Sequence, residues 1–301
     1  MKVLLFFDKI RFIIISLNTV YNTMFHVNDL WPDGLVWLLL ASTLLSLFFI
    51  PRIWPVLLGT TGLVALFLDR ISPTALVFTL LGLVIAKISQ GQKGLYKILC
   101  HILVVIWGFC LALHLIPGFD NLLVLEKTLT GSDSIPFTMY LNLDKPLIAF
   151  GLLLLAPTML WQKTDTNRHQ LTIICGLFLT LPFIAWGVGI VQPEFSLPNW
   201  MWVFVINNLV FTCVAEEFLF RGYIQRGLCQ RFSPAVGIAV ASVLFGMAHF
   251  AGGALFILVA TLAGLLYGLT YFWTGKLAFA VLIHFAFNLV HLVFFTYPMT
   301  H

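Results

Sequence analysis

Long apolar runs follow one another along this chain, and they restrict its fold more than any other feature of the sequence. Only 9% of the residues are charged, whereas a soluble domain has roughly 25%. Unbroken apolar runs favour helices, because transmembrane β-strands alternate apolar and polar residues. The sequence therefore predicts an all-α, polytopic transmembrane helix bundle of about eight to ten spans. The runs cover residues 34–50, 54–68, 71–86, 98–116, 146–161, 171–191, 200 onward, 235–250, 254–273 and 277–297.

Composition also limits the function and the compartment. The net charge of +4 is spread along the chain without a basic cluster, so no nucleic-acid partner is expected. The five cysteines lie in or beside apolar stretches without CxxC spacing, which is typical of small buried hydrophobes. Residues 3–17 are apolar but carry three charges and lack a small-residue cleavage motif. This stretch is predicted to be an interfacial helix or a poor first span, not a cleaved signal peptide.

The loops divide into a basic set and an acidic set. Lysine and arginine lie in the short loops 87–97, 162–170, 221–234 and 274–276, which the positive-inside rule assigns to the cytoplasm. The acidic insertion at about 117–145 and the loop 192–199 then fall on the opposite side. We expect membrane helices with this polar loop over residues 1–199, and the chemistry in residues 200–298.

Three charges lie within six residues of one apolar run, at Glu216, Glu217 and Arg221. Each charge inside a bilayer costs a few kcal/mol and marks a functional site by default. Glu217 and Arg221 are four residues apart, so they face each other on a helix and can neutralise one another. Glu216 points about 100° away and has no local cation. It continues a polar stripe with Asn208 and Thr212. The structural alternative is an ion pair buried in a helix bundle.

Three further polar side chains fall inside apolar runs. The midpoint between Glu216 and His249 lies beside the turn signal at 233–234. An antiparallel hairpin therefore places these two side chains at the same depth. His284 and Asn288 are four residues apart on one helical face, and counting back along the chain leaves them within about 10 Å of that depth. The spacing predicts one shared polar site.

The residue types in this site indicate hydrolysis. The sequence has no HExxH, no GxSxG and no aspartate pair within the spans. A carboxylate with an imidazole can activate water, and a second imidazole with an amide can stabilise an oxyanion. This combination predicts cleavage of an amide bond in a substrate that reaches into the membrane. A zinc site with Glu216, His249 and His284 as ligands is the alternative, ranked second because asparagine is a poor zinc ligand. His291, farther along the same helical face, is interpreted as a packing or interfacial histidine.

Three motifs over residues 200–295 resemble those of the CPBP family. This family comprises the type II CAAX prenyl endopeptidases and their bacterial relatives, the bacteriocin-processing and self-immunity proteins. The resemblance implies an intramembrane endopeptidase of about eight helices, with its site in a cavity within the bilayer. The motifs are Glu216-Glu217-x-x-x-Arg221, Phe245-x-x-x-His249 and His284-x-x-x-Asn288.

The resemblance also assigns roles to these residues. It implies that Glu216 activates the water with help from His249, and that His284 and Asn288 form the oxyanion hole. It further implies that Glu217 and Arg221 hold their helix in shape and that Phe245 packs beside His249. No cofactor is expected, with zinc as the alternative.

The resemblance leaves the substrate and the biological role open. The expected partners are the lipid bilayer and a membrane-associated peptide or protein, which could be lipidated and CAAX-like. The expected location is a bacterial inner membrane, as a multi-pass protein. The non-enzymatic alternatives are a bacteriocin-immunity or membrane-partner protein and a transporter. A transporter is disfavoured because its inverted repeats and broken helices are not evident in the sequence.

Overall fold

Helices make up most of the chain in the computed structural model, which describes residues 30–162 and 164–301. The predicted N-terminal stretch 3–17 lies outside the described residues. Several helices begin where the sequence supplies a cap. Ser72 and Ser233 each accept a hydrogen bond from the backbone three residues on, and proline follows both. The helices are α1 Gly34–Phe49, α2 Trp54–Phe67, α3 Pro73–Ser89, α4 Gly94–Ala112, α5 Ile148–Leu155, α6 Arg168–Gly187, α7 Met201–Arg231, α8 Pro234–Ala248, α9 Gly253–Thr274 and α10 Leu277–Phe294.

Five of these helices are long and apolar enough to cross a membrane: α4, α6, α7, α9 and α10. The others are apolar helices of 10–17 residues, if α5 is counted with the 3₁₀ turn Lys145–Leu147 that precedes it. The predicted all-α membrane bundle is therefore confirmed. The predicted run 146–161 is helical only as far as Leu155, because Pro157 disfavours helical geometry at the residue before it. The run 235–250 likewise stops at Ala248, ahead of a 3₁₀ turn and Gly253.

The polar insertion at 117–145 contains a two-stranded antiparallel sheet, which the sequence analysis did not predict. Strand β1, Leu122–Thr128, pairs with β2, Phe137–Leu141. Leucine, valine and methionine side chains of both strands are buried, so the hairpin has an apolar face beneath its charged one. The ring of Phe137 packs against Trp200 and Tyr297. The hairpin is thereby attached to the C-terminal half of the chain.

Contacts between loops divide the bundle into two ends. At one end, the backbones of Trp161 and Lys276 form an isolated antiparallel β-bridge. Beside it, the backbone N–H of Gln162 donates to the Gly275 carbonyl at 2.7 Å. At the other end, the Glu194 carboxylate accepts from the Ser134 hydroxyl at 2.6 Å, which joins the hairpin to the loop 192–199. This grouping agrees with the predicted separation of the basic loops 162–170 and 274–276 from the acidic insertion.

Candidate active site

Helix α7 carries both glutamates and is not a regular α-helix throughout. Its segments Asn207–Cys213 and Phe218–Gln225 are π-helical, and a short α-helical segment, Val214–Glu217, lies between them. A π-helical turn brings residues five apart into register, and such turns are frequent at functional sites. Accordingly, the Cys213 thiol donates to the Asn208 side-chain oxygen at 3.3 Å. The two glutamates therefore sit between two wider turns.

A cavity of about 220 Å³ lies beside this helix. Glu216, His249, His284 and Asn288 all line it, so the structure brings together the four residues predicted to form one site. Asn208 and Thr212, the rest of the predicted polar stripe, line it as well. Most of the remaining wall is apolar. It comes from α6, α9 and the tail that follows α10, and includes Ala185, Phe256, Val259, Ala263 and Phe295.

Glu216 uses its two carboxylate oxygens differently. Oε1 accepts from the Lys145 ammonium at 2.7 Å, and Oε2 lies 3.9 Å from Nε2 of His284. The sequence predicted no local cation for Glu216, and the cation that the structure places beside it, Lys145, lies 71 residues earlier in the chain. Sequence reasoning missed this lysine, although it stands directly before the apolar run that begins at residue 146. One oxygen is thus held by a charge, while the other lies toward the His284 ring.

Glu217 and Arg221 are both completely buried and form the predicted ion pair. Arg221 Nε lies 3.2 Å from Glu217 Oε2, close enough for charge pairing but not aligned for a hydrogen bond. The guanidinium also donates from Nη2 to the Gly264 carbonyl at 2.9 Å. Its carbon lies 4.5 Å from the centre of the Phe245 ring, a distance at which the ring face attracts a cation. Arg221 therefore ties α7 to both α8 and α9.

His284 is positioned by two neighbours. Its Nδ1 lies 2.9 Å from Oε1 of Glu217, and a carboxylate can only accept, so Nδ1 carries a proton. The ring stacks on Tyr267, with centroids 4.4 Å apart and planes 16° apart. These contacts turn Nε2 toward Glu216 and the cavity. Glu217 consequently orients a second site residue in addition to pairing with Arg221.

His249 follows the last residue of α8 and is held by the preceding turn. Its Nδ1 lies 2.8 Å from the Phe245 carbonyl oxygen, which fixes the proton of a neutral ring on Nδ1 and leaves Nε2 as the basic nitrogen. The two rings also contact each other, at 4.7 Å between centroids. Phe245 thus packs beside His249, and its ring further contacts His284 edge to face.

Asn288 takes its orientation from a residue outside the predicted set. Its Nδ2 donates to the Asn208 side-chain oxygen at 3.1 Å. This bond fixes the orientation of the Asn288 side-chain amide, with its nitrogen directed toward Asn208. The same nitrogen also donates to the Cys213 sulfur at 3.9 Å, a weak acceptor. The sequence placed Asn208 on the polar stripe without giving it this role. His291 also lines the cavity and bonds to the Thr296 carbonyl at 3.1 Å.

A metal centre requires several ligands that converge on one point. Glu216, His249 and His284 share the cavity, yet within residues 30–162 and 164–301 no group of three His, Cys, Asp or Glu side chains is arranged to hold a metal ion. Two of the three side chains already have charged partners. The Glu216 carboxylate forms an ion pair with Lys145, and the His284 ring is hydrogen-bonded to the Glu217 carboxylate.

Comparison with known proteins gives one match. Residues 198–290 match the family model described as type II CAAX prenyl endopeptidase, Rce1-like, a family of peptidases. No curated protein and no solved structure matches the chain. The matched region contains all seven residues of the three motifs. The chain therefore carries an Rce1-like domain at residues 198–290, consistent with the CPBP family.

Proposed function

We propose that this protein is an intramembrane endopeptidase that hydrolyses a peptide bond of a membrane-associated peptide or protein. The observation that supports this most directly is the cavity beside α7. A carboxylate, three imidazoles and two side-chain amides line it, and most of the remaining wall is apolar. Such a wall accepts an apolar segment of a substrate, and the polar groups can work on its backbone. The proposed location is a bacterial inner membrane.

Water activation is assigned to Glu216 and His249. Glu216 lines the cavity and its Oε2 is not held by Lys145, and the basic nitrogen of His249 is Nε2. A water between these atoms can give a proton to Glu216 while its oxygen attacks the substrate carbonyl carbon. When the tetrahedral intermediate collapses, the C–N bond breaks and the same proton passes to the leaving amine. The carboxylate is then regenerated.

Oxyanion stabilisation is assigned to His284 and Asn288. In this role the His284 ring carries a proton on each nitrogen: Nδ1–H donates a hydrogen bond to Glu217, and Nε2–H is the donor for the oxyanion. Asn288 offers the Nδ2–H that is not used by Asn208, and a developing oxyanion would replace the weak Cys213 sulfur acceptor of this nitrogen. Donors that are fixed before the reaction stabilise developing charge without having to reorganise, and losing one costs about 10²–10³-fold in rate. The Glu217–Arg221 pair keeps the helix and His284 in place.

The proposed substrate class follows from the cavity and the family. An apolar wall favours a substrate with apolar or lipid-modified residues near the cleaved bond, and a CAAX-like, prenylated peptide is one such molecule. The proposed mechanism uses no metal. The alternative has zinc held by Glu216, His249 and His284, where the ion would polarise the water.

The experiment is cleavage of membrane-anchored fluorogenic peptides, with and without a prenyl group, by the purified full chain in lipid nanodiscs. Glu216→Gln keeps the shape of the side chain and should abolish detectable cleavage. His249→Ala should lower kcat at least about 10²-fold. Glu126→Gln, on the exposed face of β1, is the matched control and should cleave like the native protein.

Two results would contradict this proposal. Cleavage by Glu216→Gln at the native rate removes the assigned base. Loss of activity with a strong chelator, restored by stoichiometric zinc, favours the metal mechanism over the glutamate one. We expect activity to persist in chelator.

A further inference from the structure

We propose that Lys145, which lies outside the Rce1-like domain, is the positioning residue that completes the catalytic centre by holding the Glu216 carboxylate. The ammonium lies 2.7 Å from Oε1 of Glu216. In the part of the chain that the structure describes, it is the only lysine or arginine within ion-pair distance of that glutamate, and Lys145 pairs with no other carboxylate. This inference rests on the proposed function, because it assigns Lys145 a task in water activation.

The local structure fixes the backbone of Lys145. Asp144 is 1% exposed, and its Oδ1 accepts from the Lys145 amide at 2.9 Å. Oδ2 of the same carboxylate lies 2.7 Å from His114 Nδ1. Asn121, at the start of the hairpin, donates to Asp144 and accepts from the Leu143 amide at 2.7 Å. A polar network therefore anchors the backbone from which Lys145 reaches Glu216.

The position of Lys145 along its helix is unfavourable without a partner. It is the first residue of the 3₁₀ turn that leads into α5, where the helix dipole disfavours a cation. Its side chain is also three-quarters buried, at 26% exposure, and a buried charge needs a partner. The Glu216 carboxylate compensates both costs. The pair thus ties the end of the polar insertion to the middle of α7.

The geometry gives the pair a consequence for catalysis. Because Lys145 holds Oε1, the carboxylate cannot rotate freely, and Oε2 is left on the side of His284, which lines the cavity. Lys145 itself does not line the cavity. Its effect on the reaction therefore comes through the orientation of Glu216 and not through contact with the substrate. A misplacement of about 1 Å at a reacting group can cost about 10²-fold in rate. Loss of Lys145 should therefore lower kcat and leave KM nearly unchanged.

The kinetic test compares three variants of the full chain in nanodiscs. Lys145→Met keeps the length of the side chain without its charge, and kcat should fall about 10²-fold while KM changes less than about 3-fold. Lys145→Arg keeps the charge and should recover at least about 10-fold of the loss. Lys127→Met, on β1 with no ion pair among the described residues, should match the native protein. The proposal is overturned if Lys145→Met retains the kcat of Lys127→Met, if the loss lies in KM, or if arginine restores nothing.

A double-mutant cycle tests the contact without any need for activity. Lys145→Met, Glu216→Gln and the double variant are compared by thermal unfolding in detergent. If the side chains interact, the double variant loses less stability than the sum of the single variants. Additive losses overturn the proposal. A native protein that cleaves no peptide would contradict the proposed function, whereas the cycle then still decides whether Lys145 holds Glu216.

Discussion

Helices α4 and α7 are both apolar enough to cross a membrane, but they are surrounded very differently. Of the most apolar part of α7, 67% is buried inside the protein, against 17% for α4. The buried helix carries the glutamates, whereas the only Asp, Glu, Lys or Arg residue of Gly94–Ala112 is Lys97, near its start. Hydropathy alone therefore identifies a span without indicating whether its side chains face lipid or protein. The charges of α7 are possible because protein groups surround them.

The largest effect should come from breaking the ion pair inside α7. Arg221→Met leaves the buried Glu217 with His284 as its remaining ionisable partner, and loss of one partner from a buried ion pair costs about 3–5 kcal/mol of unfolding free energy. The measurement is unfolding of the purified protein in detergent. Arg231→Met removes an exposed arginine from the last turn of the same helix and should cost less than about 1 kcal/mol.

A second variant shows where the cost arises. Adding Glu217→Gln to Arg221→Met removes the buried carboxylate that has lost its guanidinium partner, so the double variant should be more stable than Arg221→Met alone. If Arg221→Met is no less stable than Arg231→Met, the pair does not stabilise the helix. The buried environment of α7 would then not explain how it tolerates charge.

A smaller effect should come from the contact between α8 and α9. A methyl group at Gly246 would approach the Ile257 carbonyl oxygen to 2.6 Å, so the helix backbones would have to separate. Gly246→Ala should lower the unfolding free energy by about 1–3 kcal/mol. Because His249 lies one turn beyond Gly246, cleavage should fall as well.

The matched control is a glycine on a membrane-facing helix. A methyl group at Gly176, in α6, would meet nothing within 4 Å, and Gly176→Ala should be neutral or slightly stabilising, by up to about 1 kcal/mol. Equal losses in both variants would mean that the small residue at 246 is not required by close packing.

Patterns between residues close together in the sequence predicted the features of the site that arise within one helix or one turn. The Glu217–Arg221 pair follows from a spacing of four residues, and the turn at Ser233 from a serine followed by proline. That turn then placed His249 and Glu216 on the same cavity, because the helices of a hairpin run antiparallel. Long apolar runs likewise predicted the helices, since in lipid a helix satisfies its own backbone.

Features that depend on contacts between distant segments of the chain produce no recognisable pattern in the sequence. The ion pair of Lys145 with Glu216 joins residues 71 positions apart, and a single long-range contact produces no periodicity. The hairpin at 122–141 was missed because the apolar residues of its strands do not alternate regularly with polar ones. The bond between Asn288 and Asn208 depends on how α7 and α10 pack, which no spacing within either helix determines.

The smallest effect should come from the lipid-facing side of α4. Ile102 is 49% exposed, whereas Val104, two residues later in the same helix, is 1% exposed. The two positions therefore differ in what surrounds the side chain. Lipid chains fill the space that Ile102→Ala leaves, because lipid is as apolar as the lost side chain. This variant should change the unfolding free energy by less than about 0.5 kcal/mol. Val104→Ala leaves a gap that lipid cannot reach and should cost about 1 kcal/mol. Unfolding in nanodiscs measures both, and a larger loss for Ile102→Ala would mean that this face of α4 is covered by protein, not by lipid.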